Sequence, residues 1–319
     1  MIACRFDPQG RYVFAGSQDN SVQRWDLKTG KQAALTAHDS WVRTIVFDRK
    51  AQTTITGGYD GRLIWWETAS ESPKPLKTQL AHAGWLRQAV VSPDGKLLVT
   101  VGDDKLVKLW SLPEGKLVKA LPGHQKFVYS VLFHPSGKEL VSADLSGVIK
   151  HWELPSGKEL RQLDAKKLYS FNKGQRVDFG GVRDMAFSPD GKHLACGGLI
   201  NASNPLGAVH NPAVVLLDWA SGKQKQLHQT SKKLRGVIWK LTFHKSGFLI
   251  GASGGGSGGY LLFWQPGQAK EIHQFKLPNT VKDMDLHPDG VQLATAHYDS
   301  RVRICEMREK PKKAKRKKK

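Results

Sequence analysis

Short apolar runs, separated by tight polar turns, repeat along this 319-residue chain. The segment from Ser130 to Phe133 and the segment from Leu140 to Ser142 are typical, because they flank the turn His-Pro-Ser-Gly that ends at Gly137. Pro or Asp early in such a turn and Gly at its end favour a type I turn that closes a β-hairpin. Runs of this length, bounded by Gly and Pro, predict strands rather than helices.

The turn occurs seven times at regular intervals. The last residues of the seven turns are Gly10, Ala51, Gly95, Gly137, Gly191, Gly247 and Gly290. Fifteen residues after the turn, five of the repeats have Trp25, Trp66, Trp110, Trp152 and Cys305. The matching residues of repeats five and six, Leu217 and Trp264, follow at 26 and 17 residues, so the strands keep their register and only the loops vary.

Each repeat predicts a sheet of four strands, with the third strand ending at the Trp position. One such sheet cannot bury both of its faces alone, whereas sheets stacked around an axis can. Length alone would favour about two domains, but the repeats predict one all-β, seven-bladed β-propeller over residues 1–307. Residues 308–319 are too charged to fold and predict a disordered basic tail.

Dipeptides at two fixed points of the repeat carry a family resemblance. The first set is Gly123-His124, Ala37-His38 and Ala81-His82. The second set is Trp25-Asp26, Trp66-Glu67, Trp110-Ser111 and Trp152-Glu153. His38, His82 and His124 each precede the Trp of their repeat by 28 residues. These pairs and their spacing resemble the WD-repeat family, whose units run from Gly-His to Trp-Asp.

The resemblance implies a buried hydrogen-bonded chain of His, Ser or Thr, Asp and Trp within a blade. The implied structural residues are His38, Thr56, Asp60 and Trp66 in blade two, and His82, Thr100, Asp104 and Trp110 in blade three. Blade four has His124 and Trp152 with Ser146 at the Asp position, and blades five to seven lack the His, so we expect a partial network. Because the set recurs at fixed spacing with a structural Trp, we interpret it as architecture rather than a catalytic triad.

The two ends of the chain depart from the family pattern. Cys4 to Phe6 already has the character of the innermost strand of blade one, and no outer strand for blade seven follows Met307. Either blade seven has three strands or the natural chain starts upstream of Met1.

Other motifs favour structural roles. Gly254 to Gly259 fits G-x-G-x-x-G, but the strand-like Tyr260 to Trp264 follows it, so we predict a flexible hairpin loop rather than a phosphate cradle. His134, His244 and His287 lie in the turns, where we expect them to be isolated and solvated. Three distant cysteines without a CxxC pair give neither a disulfide framework nor a zinc site. The sequence thus predicts no catalytic residue, no metal, no cofactor and no enzyme activity.

The resemblance implies that the face carrying the His and Asp loops, the top face, binds partners. Two lengthened connections, Leu199 to Pro212 and Leu163 to Gly181, enter there. The position where the inner strands emerge near the channel mouth is held by Arg43, Arg87, Tyr129, Arg183, Trp239 and Lys282. Neighbouring positions hold Trp41, Trp85, Phe127, Tyr59, Asp103 and Tyr298.

Guanidinium and aromatic groups in a ring suit an acidic peptide or a phosphate-bearing ligand. The alternative is that the aromatic side chains pack beneath loops and the arginines pair with nearby acids.

A formal net charge of +21 favours acidic partners. Its densest part is the tail, whose polyanion-binding residues are Lys312, Lys313, Lys315, Arg316, Lys317, Lys318 and Lys319. We therefore expect an interaction scaffold for a protein or peptide, with a nucleic-acid-associated propeller as the alternative and an enzyme with its substrate in the channel as a third class. The chain has no signal peptide or membrane-spanning run, so a cytoplasmic location is expected, or a nuclear one in a eukaryote.

Overall fold

The computed structural model describes residues 1–202 and 210–308. Its strands form seven antiparallel blade sheets and one separate two-stranded sheet, and the inner strand of every blade contacts the inner strand of the next one around the ring. The last inner strand contacts the first, so the ring is closed. The predicted all-β, seven-bladed propeller is therefore confirmed.

Blades one to four are regular and have four strands each. Blade one contains β1 to β4, which are Ala3–Phe6, Tyr12–Gly16, Ser21–Asp26 and Gln32–Thr36. Blade two contains β5 to β8, which are Val42–Phe47, Thr53–Gly58, Arg62–Glu67 and Pro75–Leu80. Blade three contains β9 to β12, which are Leu86–Val91, Leu97–Gly102, Val107–Ser111 and Leu117–Leu121. Blade four contains β13 to β16, which are Val128–Phe133, Glu139–Asp144, Val148–Glu153 and Glu159–Asp164.

The later blades carry the variation. An extra hairpin before blade five follows a 3₁₀ turn at Lys166–Leu168 and contains β17 and β18, which are Tyr169–Asn172 and Val177–Gly180. Blade five contains β19 to β22, which are Asp184–Phe187, His193–Ile200, Asn211–Asp218 and Gln224–His228. Blade six contains β23 to β26, which are Val237–Phe243, Leu249–Gly255, Gly258–Trp264 and His273–Leu277. Blade seven contains β27 to β29, which are Val281–Leu286, Gln292–His297 and Val302–Glu306.

Both lengthened connections contain β-strands in the structure. The first becomes the β17–β18 hairpin. The second, predicted as a loop from Leu199 to Pro212, begins and ends in strands, because β20 and β21 pair as far as Ile200 and Asn211. Blade five is thus taller than its neighbours, and residues 203–209 lie outside the described part.

Three strands make up blade seven in the part of the chain that the structure describes. β1 is the inner strand of blade one, as the sequence predicted, and pairs with β2. The glycine-rich segment forms the β24–β25 hairpin, in which Gly254 faces Gly259. The hairpin interpretation of that motif is therefore confirmed.

The repeated Trp packs between neighbouring blades. Trp66 is fully buried in a cluster with Phe14, Val22 and Leu35 of blade one and Ile45 of its own blade. Each buried aromatic side chain of this size contributes on the order of 2 kcal/mol. The spacing of the Trp residues thus records the contact that joins one sheet to the next.

Side chains near the channel join the inner strands. Asp283 accepts the backbone N–H of Cys4 (3.0 Å), which closes blade seven onto blade one. Thr44, Gln88 and Asp184 accept the N–H groups of Ala89, Val131 and Leu241, the next inner strands, at 2.8–3.1 Å. We call these four side chains the inner-strand latches. Each occupies the seventh position before the end of its turn.

The turn histidines link the blades at the opposite end of the inner strands. The Nε2 atoms of His134, His244 and His287 lie 3.3, 3.0 and 3.4 Å from the carbonyl oxygens of Gly191, Gly290 and Gly10. Each of these glycines ends the turn of the next blade. The expectation that these histidines are isolated and solvated is wrong, because the adjacent turn lies within hydrogen-bonding reach.

The closing latch can be tested by changing Asp283 to Ala. This change leaves the Cys4 N–H and the Arg5 guanidinium, which lies 2.7 Å from Asp283, without their buried acceptor. We expect the free energy of unfolding in urea to fall by about 3 kcal/mol. The matched control is Asp299→Ala, which removes a partly exposed ion pair with Arg303 in the same blade and should cost within about 1 kcal/mol. Equal losses for the two variants would contradict the latch.

Candidate functional site

The structure joins the four predicted residues of blade two through one hydroxyl. Thr56 Oγ1 lies 2.8 Å from His38 Nε2 and accepts the indole N–H of Trp66 at 2.9 Å. His38 Nδ1 lies 2.9 Å from Asp60 Oδ2. In blade three the same contacts link His82, Thr100, Asp104 and Trp110, at distances between 2.7 and 2.9 Å.

Blade four forms the same hydrogen-bonded network, but its carboxylate comes from a residue that the sequence pattern did not predict. His124 Nδ1 lies 2.9 Å from Asp144 Oδ2, while Ser142 Oγ is 2.8 Å from both His124 Nε2 and Trp152 Nε1. Ser146, which stands at the expected Asp position, donates its hydroxyl to Asp144 at 2.7 Å. The carboxylate of blade four thus comes from a position two residues earlier than in blades two and three, but it still contacts the histidine.

Blade seven keeps part of the network through a different histidine. Thr295 occupies the position of Thr56, and its hydroxyl lies 2.8 Å from His297 Nε2. His297 comes from the same strand, two residues further on, instead of from the preceding loop. A His two residues after the hydroxyl that recurs at this position of the repeat was the available sequence signal.

These networks bury the imidazoles, which suits a structural role. Burial lowers the pKa of His82, although its hydrogen bond with Asp104 works in the opposite direction. A carboxylate only accepts, so His82 Nδ1 carries the proton, Nε2 accepts from the Thr100 hydroxyl, and that oxygen accepts from Trp110. The Thr100 hydroxyl therefore acts as both donor and acceptor within the network, and it is not exposed as a nucleophile.

At the other candidate site, cationic and aromatic side chains from six blades alternate in an arc around the channel mouth. Trp41 stacks on Tyr59 (5.9 Å between ring centroids), and Tyr59 stacks on Trp85 at 4.3 Å with nearly parallel planes. The Arg87 guanidinium lies 4.5 Å from the centre of the Trp85 ring and 4.3 Å from that of Tyr129.

Further round, Arg183 contacts Tyr129 and Trp239 at 4.6 and 5.7 Å, and Lys282 lies 4.6 Å from the Trp239 ring. We use the name mouth arc for the following side chains: Trp41, Arg43, Tyr59, Trp85, Arg87, Tyr129, Arg183, Trp239 and Lys282.

Within the mouth arc, Arg87 is paired with a carboxylate. It is 6% exposed, and its Nε and Nη2 atoms donate to the two carboxylate oxygens of Asp103 at 2.6 and 2.8 Å. The prediction that Arg87 presents its charge to a partner needs correction, because Asp103 already neutralises that charge. The alternative considered for the arginines, pairing with a nearby acid, applies to this one.

The remaining cations of the mouth are not neutralised in this way. Within residues 1–202 and 210–308, Arg43, Arg183 and Lys282 have no carboxylate within 4 Å; Arg43 donates instead to the carbonyl of Ile2 at 3.3 Å. Burial lowers the pKa of the Lys282 ammonium, and the positive charges of Arg43 and Arg183 lower it further. This part of the mouth therefore carries positive charge that an anionic group would stabilise.

Two predicted residues stand apart from the mouth arc. Phe127 and Tyr298 are exposed, and neither ring stacks on another aromatic ring in the described part of the chain. Trp41 and Trp85 are also 41% and 46% exposed, so parts of both stacked indoles remain accessible to a ligand. The stacked aromatic side chains of the mouth are thus concentrated on blades two and three.

Below the mouth arc, the channel is filled by charged side chains that the sequence analysis did not single out. Arg5, Asp184, Lys240 and Asp283 line the remaining space of about 10 Å³, room for about one water molecule. This space is too small for a substrate molecule, so the mouth offers more room for a ligand at this end than the channel does. The missed signal was a polar residue at the seventh position before the end of the turn, where Thr44, Gln88, Asp184 and Asp283 stand.

In the described residues, no group of three or more His, Cys, Asp or Glu side chains is arranged to hold a metal ion. The same residues contain no helix that is long and apolar enough to span a bilayer.

The family model for the WD domain, G-beta repeat, matches residues 2–26, 30–67, 73–111, 115–153, 166–199 and 269–306. The chain belongs to the WD-repeat family. Inner strand β23 and its hairpin partners β24 and β25 fall outside these matches, yet they form blade six of the WD-repeat propeller. The turn ending at Gly247 and the Trp at a spacing of 17 residues had predicted that blade.

Curated relatives match parts of this WD-repeat chain. The nuclear distribution protein PAC1-1 of Uncinocarpus reesii is 29% identical over 37% of the chain and 31% of its own length. A p21-activated protein kinase-interacting protein 1-like of Danio rerio is 34% identical over 33% of the chain and 28% of its own length. The guanine nucleotide-binding protein subunit beta of Schizosaccharomyces pombe is 27% identical over 38% of the chain and 40% of its own length. The matches thus span about a third of the length of these relatives.

The blade-three network predicts a specific dependence of stability on pH. Burial would raise the pKa of Asp104, but hydrogen bonds from His82 and Lys108 outweigh it and lower the pKa to about 2. A depressed carboxyl pKa stabilises the fold above its ordinary value of 3.8, and this contribution is lost as the pH falls through about 2. Asp104→Asn removes the titration.

The difference in unfolding free energy between wild type and Asp104→Asn should therefore narrow by about 1 to 2 kcal/mol between pH 5 and pH 2. Urea unfolding at a series of pH values measures it. A difference that stays constant across this range would show that the Asp104 carboxylate is not stabilised by the network.

Proposed function

We propose that this chain is a non-enzymatic interaction scaffold whose mouth arc binds an acidic or phosphate-bearing segment of a protein partner. The observation that carries the proposal is the position of Arg183 and Lys282 against the half-buried Trp239 ring, with Arg43 close to Lys282, and no carboxylate to neutralise these cations among the described residues. Cations that no carboxylate neutralises interact strongly with anions.

The mouth offers two kinds of contact to one ligand. Trp41, Tyr59 and Trp85 present stacked rings on blades two and three, whereas Arg183 and Lys282 lie on blades five and seven. Aromatic and Arg side chains are enriched among residues that dominate binding energy at protein interfaces. A segment that combines an apolar residue with a negative charge fits this division.

The relatives support a scaffold role. One is named as a protein that interacts with p21-activated protein kinase, and another as a subunit of a guanine nucleotide-binding protein. For this chain, we infer from these names the general class of activity, assembly with other proteins. The acidic character of the partner rests on the charges of the mouth.

The mouth is tested by reversing two of its free charges. We expect Arg183→Glu combined with Lys282→Glu to weaken the binding of captured partners by roughly tenfold or more, because opposing charges at an interface become like charges. The measurement is affinity capture followed by titration of each identified partner.

The matched control is Lys116→Glu combined with Lys158→Glu, which makes the same change in net charge at two exposed lysines of blades three and four. Thermal melting of both variants checks that the fold is kept. Capture that is unchanged by the mouth variant, or reduced equally by the control, would reject the mouth as the binding site.

The tail supports a second candidate function, association with nucleic acid. Nine of the twelve residues from Arg308 to Lys319 are Lys or Arg, a density that binds polyanions through counterion release. The predicted tail residues from Lys312 to Lys319 lie outside the described residues, so the sequence alone carries this candidate.

Deleting residues 309–319 tests the tail. If the tail drives binding, the affinity of the intact chain for a single- or double-stranded DNA oligonucleotide should fall steeply between about 50 and 200 mM salt. The deletion should remove most of this binding. A shallow salt dependence, or equal affinity of the truncated chain, would exclude nucleic-acid binding through the tail.

A further inference from the structure

A groove of about 630 Å³ opens between blades two and three at the end where the hairpin turns lie. Its volume falls within the range of small-ligand sites, about 300–1,000 Å³. Apolar side chains form much of its wall: Ile55, Trp65, Leu76, Leu112 and Pro113. We call this space the blade 2/3 groove; it lies at the opposite end of the inner strands from the mouth arc.

Trp65 gives the groove an unused hydrogen-bond donor. The residue is 4% exposed, and its indole N–H has no acceptor among the described residues. An unpaired buried donor costs about 1–3 kcal/mol, which an acceptor on a ligand would offset. The Lys77 ammonium lies 5.0 Å from the centre of the Trp65 ring and leaves that N–H unpaired.

The equivalent junction between blades four and five is already filled by an aromatic side chain. Trp219 of blade five occupies the position that Leu112 holds in blade three, two residues after Leu217 and Trp110 respectively. The Trp219 ring lies 4.5 Å from His151, the counterpart of Trp65, and stacks on His134 at 5.3 Å. An indole therefore fits this junction of the propeller.

The frame around the two junctions is the same. Lys77, on the outer strand of blade two, donates to the carbonyl of Gly115 in blade three at 3.0 Å. Its counterpart Arg161, in blade four, donates to the carbonyl of Ala220 in blade five at 2.9 Å. The junctions thus differ in their filling, since Leu112 covers less of the space than Trp219.

The charges at the rim of the groove favour an anion. The acidic groups Asp48 and Asp94 accept backbone N–H groups of their own turns, at 2.8 and 3.0 Å. Arg49 and Lys50 also line the groove, and neither has a carboxylate within 4 Å in the described part of the chain. A ligand that brings an aromatic ring together with negative charge satisfies both the wall and the rim.

We propose that the blade 2/3 groove binds an aromatic side chain carried by an acidic segment of a partner protein. The ring lies where Trp219 lies between blades four and five, a carbonyl of the segment accepts the Trp65 N–H, and its carboxylates face Arg49 and Lys50. This site is separate from the mouth arc and does not depend on the function proposed for it.

The test uses the full chain and the blocked peptide Glu-Glu-Trp-Glu-Glu, with Glu-Glu-Ala-Glu-Glu as the control peptide. The indole N–H signals of ¹⁵N-labelled protein report binding directly, and Trp65→Phe assigns the signal of Trp65. We expect a saturable shift of that signal with the Trp peptide, with a dissociation constant on the order of 1 mM, and no saturable shift with the Ala peptide.

Two variants locate the binding. Leu112→Trp copies the filling of the blade four/five junction and should reduce peptide affinity at least tenfold while the melting temperature is maintained. Leu76→Glu places a carboxylate at an exposed position of the rim, where folding is not affected, and should also weaken binding. Arg183→Glu combined with Lys282→Glu changes the mouth and should leave the Trp65 shift unchanged.

The proposal is overturned if the Trp65 signal does not shift, or if Leu76→Glu binds the peptide as strongly as wild type. Binding that is lost in the mouth variant but kept in Leu76→Glu assigns the peptide to the mouth, which also overturns the groove and leaves the proposed function standing. If Leu112→Trp does not fold, Leu76→Glu and the mouth variant decide the question alone.

Discussion

The inner strands of this propeller meet around the channel without sharing backbone hydrogen bonds, so each leaves one edge of N–H and C=O groups without a strand partner. Unpaired backbone groups at a buried edge are costly, and they invite pairing with other chains. The latches answer this constraint: Thr44, Gln88, Asp184 and Asp283 each accept an N–H from the next blade. Closure of the ring depends on these contacts as well as on the apolar packing between sheets.

The same latches position the mouth. The pairing of the first two strands skips Arg43, Arg87 and Lys282, which lie at register shifts, and an irregularity of this kind turns a side chain out of the regular alternation. Arg43, Arg87, Arg183 and Lys282 each immediately precede a latch. The guanidinium and ammonium groups of the arc are therefore held by the bonds that close the ring, and the ligand proposed for the mouth would meet them already arranged, which lowers the entropy lost on binding.

The fold was predictable because turn and Trp spacing recur, and even blade six followed from them. Contacts that join distant parts of the chain were harder to predict: Asp283 and Cys4 are 279 residues apart, and only the recurrence of a polar residue at the same position of several inner strands hinted at their contact. Asp144 was missed because the carboxylate reaches His124 from another backbone position. The burial of Arg87 against Asp103 depended on side-chain geometry, which residue type and spacing do not determine.

The two candidate binding surfaces, the mouth arc and the blade 2/3 groove, lie at opposite ends of the repeated strands. β5 runs from Val42 beside the mouth to Phe47 beside the turn that borders the blade 2/3 groove, and five steps of about 3.3 Å make this roughly 17 Å. At the mouth end, residue differences between blades change the charge and the aromatic character of the surface. At the turn end, residue differences between blades change how completely side chains fill the junction between two neighbouring blades. Because the surfaces lie at opposite ends of rigid sheets, a partner on one does not obstruct a partner on the other, and this arrangement suits a scaffold.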